Sequence, residues 1–286
     1  MIKRDLYSKK NVRGISLDDD SGECRVYVER KEDENKLEGE DIVPEYFDGY
    51  KTDVLEIGDV SPIIPTARRT KRFNVLQPGV SIGHYQYTTA GSLGVFVEKD
   101  NELYFLTNAH VGAGSNKAEP EDPILQPGPT DGGQEVKDRI GELVHYFKLK
   151  DGMKWDAALA KHIDRDVNLK PKGLSNTPRI VESPNVGDKV ITTGRTQPSI
   201  STSKVIDKGV DIQVRYGSDT CEVLKTNMYE PFIQGGDSGS GIFKDSGEAL
   251  VDIAFAGSDK VSFGIGNIEG LFNHYNIKLA KGDYDV

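Results

Sequence analysis

Cysteine is scarce in this 286-residue chain, which holds only Cys24 and Cys221, far apart in sequence. Secreted proteins of modest size usually carry several disulfides, so a reducing, cytoplasmic setting is expected. There is no C-x-x-C pair, and His84, His145, His162 and His274 lack a cysteine or carboxylate partner at metal-ligand spacing. A zinc site is therefore not expected, nor any other metal or cofactor. Long apolar runs are missing as well, and the basic N-terminal stretch MIKRDLYSKKNVRGISLDDD is not followed by the apolar segment of a signal peptide. Neither export nor membrane attachment is expected. Positive charge is in deficit, with 36 Lys and Arg against 46 Asp and Glu and a net charge of -10. Such a surface repels phosphate backbones, so nucleic acid is not an expected partner. No fixed-period repeat or low-complexity tract occurs.

What the chain does have is turn-forming residues, 31 Gly and 13 Pro beside 36% hydrophobic residues, the composition of a globular protein of many short strands. Its length suits one two-lobed domain, or a domain with a smaller companion. Residues 1–65 read as a small α+β domain: Cys24 to Val28 and Thr52 to Ile57 alternate polar and apolar side chains, around the polar run KEDENKLEGED. Residues 66–78 read as a linker. The stretch SPIIPTARRTKR, from Ser61 to Arg72, combines two prolines with clustered basic residues and suits an exposed connector, or a processing site.

From Gly79 onward short Val-, Ile- and Phe-rich segments come densely. They are Leu93 to Glu98, Leu103 to Leu106, Asp156 to Ala160, Lys189 to Thr193, Asp211 to Arg215, Gly241 to Phe243, Leu250 to Ala254 and Val261 to Ile265. Gly, Asp, Asn and Ser separate them, a barrel or sandwich pattern and a mainly β fold class. Near the end Asn267 precedes Ile268, Leu271, Phe272 and Tyr275, whose spacing predicts one closing helix over 267–276.

The sharpest string is Gly235-Gly236-Asp237-Ser238-Gly239-Ser240-Gly241, a serine on a tight turn followed by the apolar pair Ile242-Phe243. A serine hydroxyl is a poor nucleophile at neutral pH. It needs an exposed Oγ, an adjacent base and backbone donors aimed at the developing oxyanion. Gly236 and Gly239, lacking Cβ, can take the conformations that present such donors. A base is offered by Leu103-Tyr104-Phe105-Leu106-Thr107-Asn108-Ala109-His110, a strand-like run ending in histidine. In Trp155-Asp156-Ala157-Ala158-Leu159-Ala160 a carboxylate stands at the mouth of an apolar segment, where it could be partly buried and accept from the histidine's other ring N–H. Alone, His110 reads as a satisfied strand-end histidine and Asp156 as a turn cap; together with the serine they make a triad.

The strings TNAH, DAALA and GDSGS, in the order His, Asp, Ser, resemble the chymotrypsin-like (trypsin-like) serine peptidases, whose order differs from that of subtilisins and α/β-hydrolases. VGDKVITTGRT, from Val186 to Thr196, is similar to the segment opening the second barrel in bacterial members. The likeness covers roughly residues 79 to 280 and implies a double β-barrel, with barrel one over about 79–170 and barrel two over about 180–266. The N-terminal VPEYFDGYKTDVLEIGDV and the insertion DPILQPGPTDGG resemble a bacterial branch related to the plant Narrow Leaf proteases, which implies a cytoplasmic or nuclear-type protease with an added N-terminal domain.

The resemblance implies a serine endopeptidase acting on protein or peptide substrates. Ser238 would be the nucleophile, His110 the general base and Asp156 its orienting carboxylate, with the Gly236 and Ser238 amides binding the oxyanion. In zymogen-type relatives the counterpart of Asp237 pairs with a newly freed amine; cleavage after Arg72 would offer that of Phe73. The residue six before the nucleophile, Phe232, would sit at the base of the specificity pocket, which excludes a trypsin-like preference. Its walls would come from Ala254, Phe255, Ala256 and Gly257 and from Val261 to Gly264. The N-terminal domain could bind a regulatory partner. Two rivals remain: a latent protease-like scaffold that binds proteins, and an esterase, which the absent G-x-S-x-G elbow disfavours.

Overall fold

The computed structural model describes residues 4–19, 21–60, 69–114 and 116–282. Most of the stretch read as a connector or processing site, residues 61–68, lies outside the described residues. A one-turn helix α1 (Arg4–Tyr7) opens the chain, followed by β1 (Val12–Asp18), β2 (Glu23–Val28), β3 (Tyr46–Phe47) and β4 (Tyr50–Glu56). The first lobe holds β5 (Ser81–His84), β6 (Gly91–Ser92), β7 (Val95–Lys99), β8 (Glu102–Thr107), the helical turn α2 (Ala109–Gly112) and β9 (Pro123–Leu125). It is completed by α3 (Glu135–Asp138), β10 (Arg139–Tyr146) and β11 (Ala158–His162). The second lobe is built from β12 (Ile180–Val181), β13 (Lys189–Thr192), β14 (Ser201–Tyr216), β15 (Asp219–Tyr229), β16 (Gly241–Lys244), β17 (Ala249–Gly257) and β18 (Ser262–Gly264). Helix α4 (Ile268–Tyr275) and β19 (Lys278–Leu279) end the described chain.

These strands form two sheets. One, in the order β19-β7-β8-β11-β10-β9-β5-β6, is the first lobe; the other runs β13-β16-β17-β18-β15-β14-β1-β2-β4-β3, with β12 beside β17. The fold is mainly β, with the two sheets forming two lobes. The first lobe encloses an apolar cluster of its own with Val80, Ile82, Phe96, Phe105 and Ile140, and a larger cluster runs from Phe243, Leu250, Ile253, Phe255 and Phe263 of the second lobe to Val95, Leu106 and Leu159 of the first. Side chains so enclosed stabilise a fold by about 1.5–3 kcal/mol each. Strand β17 is buried along its whole length, which is why ALVDIAFAG shows no polar alternation. Its one charged residue, Asp252, accepts hydrogen bonds from Asn227, Tyr229, Ile253 N and Gly266 N.

The N-terminal strands share that second sheet. Gly14 pairs with Ile212 and Ile15 with Asp211 of β14, and the Tyr27 hydroxyl donates to Asp207. Residues 4–60 thus make an annex bound to the second lobe by main-chain pairing. In the described part of the basic cluster after it, Lys71 and Arg72 are exposed and Arg69 is not. Arg69 is buried and bonded to Thr193, and Arg72 pairs with Asp138. Helix α4 starts where the sequence places it, with the Asn267 side chain accepting from Gly270 N at 3.2 Å. Among the described residues no helix is long and apolar enough to cross a membrane.

Candidate functional site

His110 sits on α2, immediately after β8, whose ELYFLT alternation fixes which face enters the core. Asn108, between the two, donates its amide to the Asp156 main-chain carbonyl at 2.7 Å. Asp156 precedes β11 rather than beginning it, and it is fully buried instead of half-buried at a strand mouth. Its carboxylate takes three donors. Oδ1 accepts from the His110 backbone N–H at 3.1 Å, and Oδ2 from His110 Nδ1 at 2.5 Å and from the Tyr216 hydroxyl at 2.9 Å. Because a carboxylate only accepts, the Nδ1 bond puts a proton on that nitrogen and leaves Nε2 as the basic side of a neutral ring. The Tyr216 ring lies 5.7 Å from the imidazole, and the His110 side chain keeps 13% exposure.

Ser238 comes from the loop between β15 and β16. Gly236 and Gly239 on either side of it have φ of +91° and +92°, the left-handed region in which a side chain is strained. The Ser238 carbonyl accepts from Ser92 N at 2.7 Å, and Gly239 N donates to Ala254 O at 2.8 Å, fastening the loop between the lobes. A Cβ on Gly91 would lie 2.4 Å from Val111 and 2.6 Å from the Ser238 carbonyl, so the neighbour of His110 and the backbone of Ser238 close on the same glycine. Ser238 is 7% exposed, and its hydroxyl donates to the Phe255 carbonyl at 3.3 Å. No hydrogen bond joins His110 Nε2 to Ser238 Oγ. Among the described residues, the amides of Gly236 and Ser238 have no intramolecular acceptor.

The segment Gly194 to Gln197 grips this loop. Thr196 Oγ1 donates to Gly235 O, Thr196 N to Asp237 Oδ1 at 3.0 Å and Gln197 Nε2 to Asp237 Oδ2 at 2.6 Å. Gln234 N adds a donor to Oδ2 at 2.8 Å. Arg195 N donates to Ser92 Oγ at 2.9 Å, and Ser92 Oγ in turn donates to Gly236 O at 2.8 Å, which fixes the peptide after Gly236. Burial pushes the Asp237 carboxyl up, and the Gln234, Thr196 and Gln197 donors and the nearby Arg69 charge oppose that push. The Arg195 guanidinium, fully buried, pairs with Asp131 through Nε at 2.6 Å and Nη2 at 2.5 Å. Its Nη1 lies 2.4 Å from where a Gly236 Cβ would be, so that position admits only glycine.

Phe232, Ala254, Phe255, Ala256 and Gly257 are all buried. Phe232 and Ala254 join Val190, Val205 and Ile242 in one apolar cluster, with the Phe232 ring 5.7 Å from Tyr229. At the serine it is the Phe255 carbonyl that is presented. Phe73 N donates to Gln126 Oε1 at 3.0 Å, while the Asp237 carboxylate is filled by other donors. Three functional neighbours escaped sequence reading: Tyr216, Gln197 and Asp131. Gln197 follows a quoted string directly; Tyr216 stands in RYGSD, which reads only as a turn.

No protein-family model matches the chain, and no curated protein does. Solved structures do. Protease A of Thermobifida fusca is 17% identical, with a TM-score of 0.52 over 73% of this chain and all of its own. A Nocardiopsis protease is 13% identical, with a TM-score of 0.52 over 72% of this chain and all of its own. A glutamic-acid-specific serine protease that uses a histidine triad in substrate binding is 15% identical, with a TM-score of 0.51 over 72% of this chain and all of its own. Likeness at this level establishes the fold these chains share, that of chymotrypsin-like serine proteases.

Proposed function

We propose that this protein is a serine endopeptidase that cleaves protein or peptide substrates through an acyl-enzyme. The observation that carries the reading is the buried Asp156 carboxylate, bonded to both the ring and the backbone of His110. That arrangement fixes the imidazole with Nε2 turned outward as a base, which a merely structural histidine does not require. In the mechanism Ser238 Oγ leaves the Phe255 carbonyl by rotating about χ1 and passes its proton to His110 Nε2 as it attacks the scissile carbonyl. The oxyanion is received by the Gly236 and Ser238 amides, each such donor being worth roughly 3 kcal/mol in comparable sites. His110 then protonates the leaving amine and activates the water that releases the acyl group. Asp237 already holds neutral donors in place of a new terminal amine, so we take the uncleaved chain to be competent.

The low exposure of Ser238 and the bond of its hydroxyl to Phe255 favour a second reading, a latent scaffold that binds proteins without cleaving them. A fluorophosphonate probe separates the two. The peptidase labels as the full-length wild type, loses labelling in Ser238→Ala, and slows by about 10³–10⁴ in Asp156→Asn, where the imidazole loses its tautomer. Equal labelling of Ser238→Ala would refute the nucleophile, and wild type inert at every pH would leave the scaffold.

A further inference from the structure

Asp156 accepts one hydrogen bond more than the base needs, and the donor comes from the other lobe. We propose that Tyr216 is a positioning residue for the His110–Asp156 pair, and that the N-terminal annex holds it in place. This rests on the peptidase reading of the same site. The phenol hydrogen goes to Oδ2, the oxygen that also receives His110 Nδ1, so Tyr216 fixes the direction of that lone-pair side and draws negative charge away from it. The ring is 7% exposed and covers the imidazole. Burial and the Asp156 charge push the phenol well above its ordinary range, so it remains a donor throughout the working pH range.

Tyr216 is the last residue of β14, at the tip of its long hairpin with β15, where a strand pair on its own would be mobile. The annex supplies the missing support. Gly14 and Ile15 pair with β14 near its end, and the Tyr7 hydroxyl donates to Asp211 O at 2.6 Å. Beyond β4 the chain turns along the hairpin, where Val60 O receives Arg215 N at 3.4 Å and Asp59 pairs with the Arg215 guanidinium. Val60 and Ile57 are buried in the same cluster as Tyr216. On the far side the Ile57 carbonyl receives the Ser258 hydroxyl and Lys260 pairs with Glu56, tying the annex to the turn between β17 and β18. Among the described residues, the other titratable group acting on Tyr216 is Cys221 of β15, which burial and then Asp151, Asp219 and Asp156 push up, so its thiol stays neutral.

The test uses full-length protein: wild type, Tyr216→Phe, Val60→Ala and the double variant. The fluorophosphonate labelling rate is followed against pH, and the titration of the His110 ring is followed by NMR, which needs no turnover. Tyr216→Phe keeps the ring and removes one donor. The carboxylate then holds the imidazolium more tightly, and both midpoints move up by about half a pH unit. Val60→Ala moves them less, in the same direction, and adds nothing in the Tyr216→Phe background. A tyrosine that only packs would lower thermal stability in Tyr216→Phe without moving either midpoint, and that outcome overturns the proposal. Val60→Ala with wild-type midpoints overturns the role of the annex. Should Tyr216→Phe not fold, Val60→Ala decides by the same two measurements. If wild type never labels while the ring midpoint still moves in Tyr216→Phe, the peptidase reading fails and the positioning role stands.

Discussion

A buried carboxylate needs donors more than it needs a counter-charge, and Asp237 shows how few residues can supply them. Two of its partners are backbone amides fixed by local turns; the third, Gln197 Nε2, is the one side chain that hydrogen-bonds it among the described residues. Gln197 is itself held, its Oε1 accepting from Ser201 Oγ at 2.6 Å and its Nε2 also reaching Phe232 O at 3.1 Å. Gln197→Leu keeps most of the volume and leaves Asp237 Oδ2 with one donor fewer, a loss of about 1–3 kcal/mol for a buried acceptor. The strain falls on the turn that carries Gly236 and Ser238. A lower thermal midpoint together with at least roughly tenfold slower fluorophosphonate labelling is expected, since 1.4 kcal/mol is a factor of ten. Unchanged labelling in a destabilised Gln197→Leu protein would show that Asp237 does not shape the oxyanion site.

Loops from the first lobe act on the second as units. The turn Pro129–Asp131 sends Asp131 to Arg195, a pair whose side chains are 5% and 1% exposed, and Asp131 also accepts from Ser81. Removing one partner of such a pair leaves a desolvated charge, which costs about 3–5 kcal/mol. Asp131→Asn should lose stability on that scale in urea unfolding, and Arg195→Met added to Asp131→Leu should recover part of it. A double variant less stable than Asp131→Asn would mean that the pair does more than neutralise itself. Sequence reading caught the elements whose chemistry is local. The strands β13, β16 and β17, helix α4 with its Asn267 cap, and the glycine-flanked Ser238 are each written in adjacent residues. It missed β10 and β15 and saw only the end of β14, because register shifts break the alternation, between Val205 and Asp207 and between Lys208 and Val210 in the β14–β15 pair and between Leu143 and His145 in β10. Gly209 and Lys225, with φ of +68° and +59°, mark those irregularities and read as turns in one dimension. Tyr216 and Asp131 were missed for a related reason: their partners lie tens of residues away, and although Asp131 stands inside the insertion DPILQPGPTDGG, nothing in that string points to Arg195.

At the scale of the whole molecule, histidines away from the candidate site set how the fold responds to acid. Burial pushes His84, His145 and His162 down, with Asp122 opposing it at His84 and the neighbouring His274 adding to it at His145. Each is thus favoured as the neutral ring in the fold, while in the unfolded chain histidine titrates near about 6.5. The stability they contribute is complete above that value and is lost as pH falls through it toward the lower folded values. The carboxylates that hydrogen bonds and ion pairing with lysine hold low, Glu56, Glu102 and Asp188, lose their contributions only at more acidic pH, so those windows separate from that of the histidines. Asp252 acts the other way over the same interval: burial pushes its carboxyl up to about 6, so the fold takes up a proton there and regains stability as pH falls through that value. The thermal midpoint is therefore expected to stay level from pH 8 to 7 and to fall between pH 7 and 5.5 by what the histidines lose beyond that gain, at about 2–4 °C per kcal/mol for a chain of this size. His162 is the sharpest probe, because its Nε2 bonds the Arg165 carbonyl at 2.7 Å and its ring stacks edge-on to Phe96 at 6.0 Å. His162→Gln retains a neutral donor for Arg165 O and cannot charge. Its thermal midpoint should fall less over that interval than wild type's, and an identical slope would assign the acid response to groups other than the buried rings.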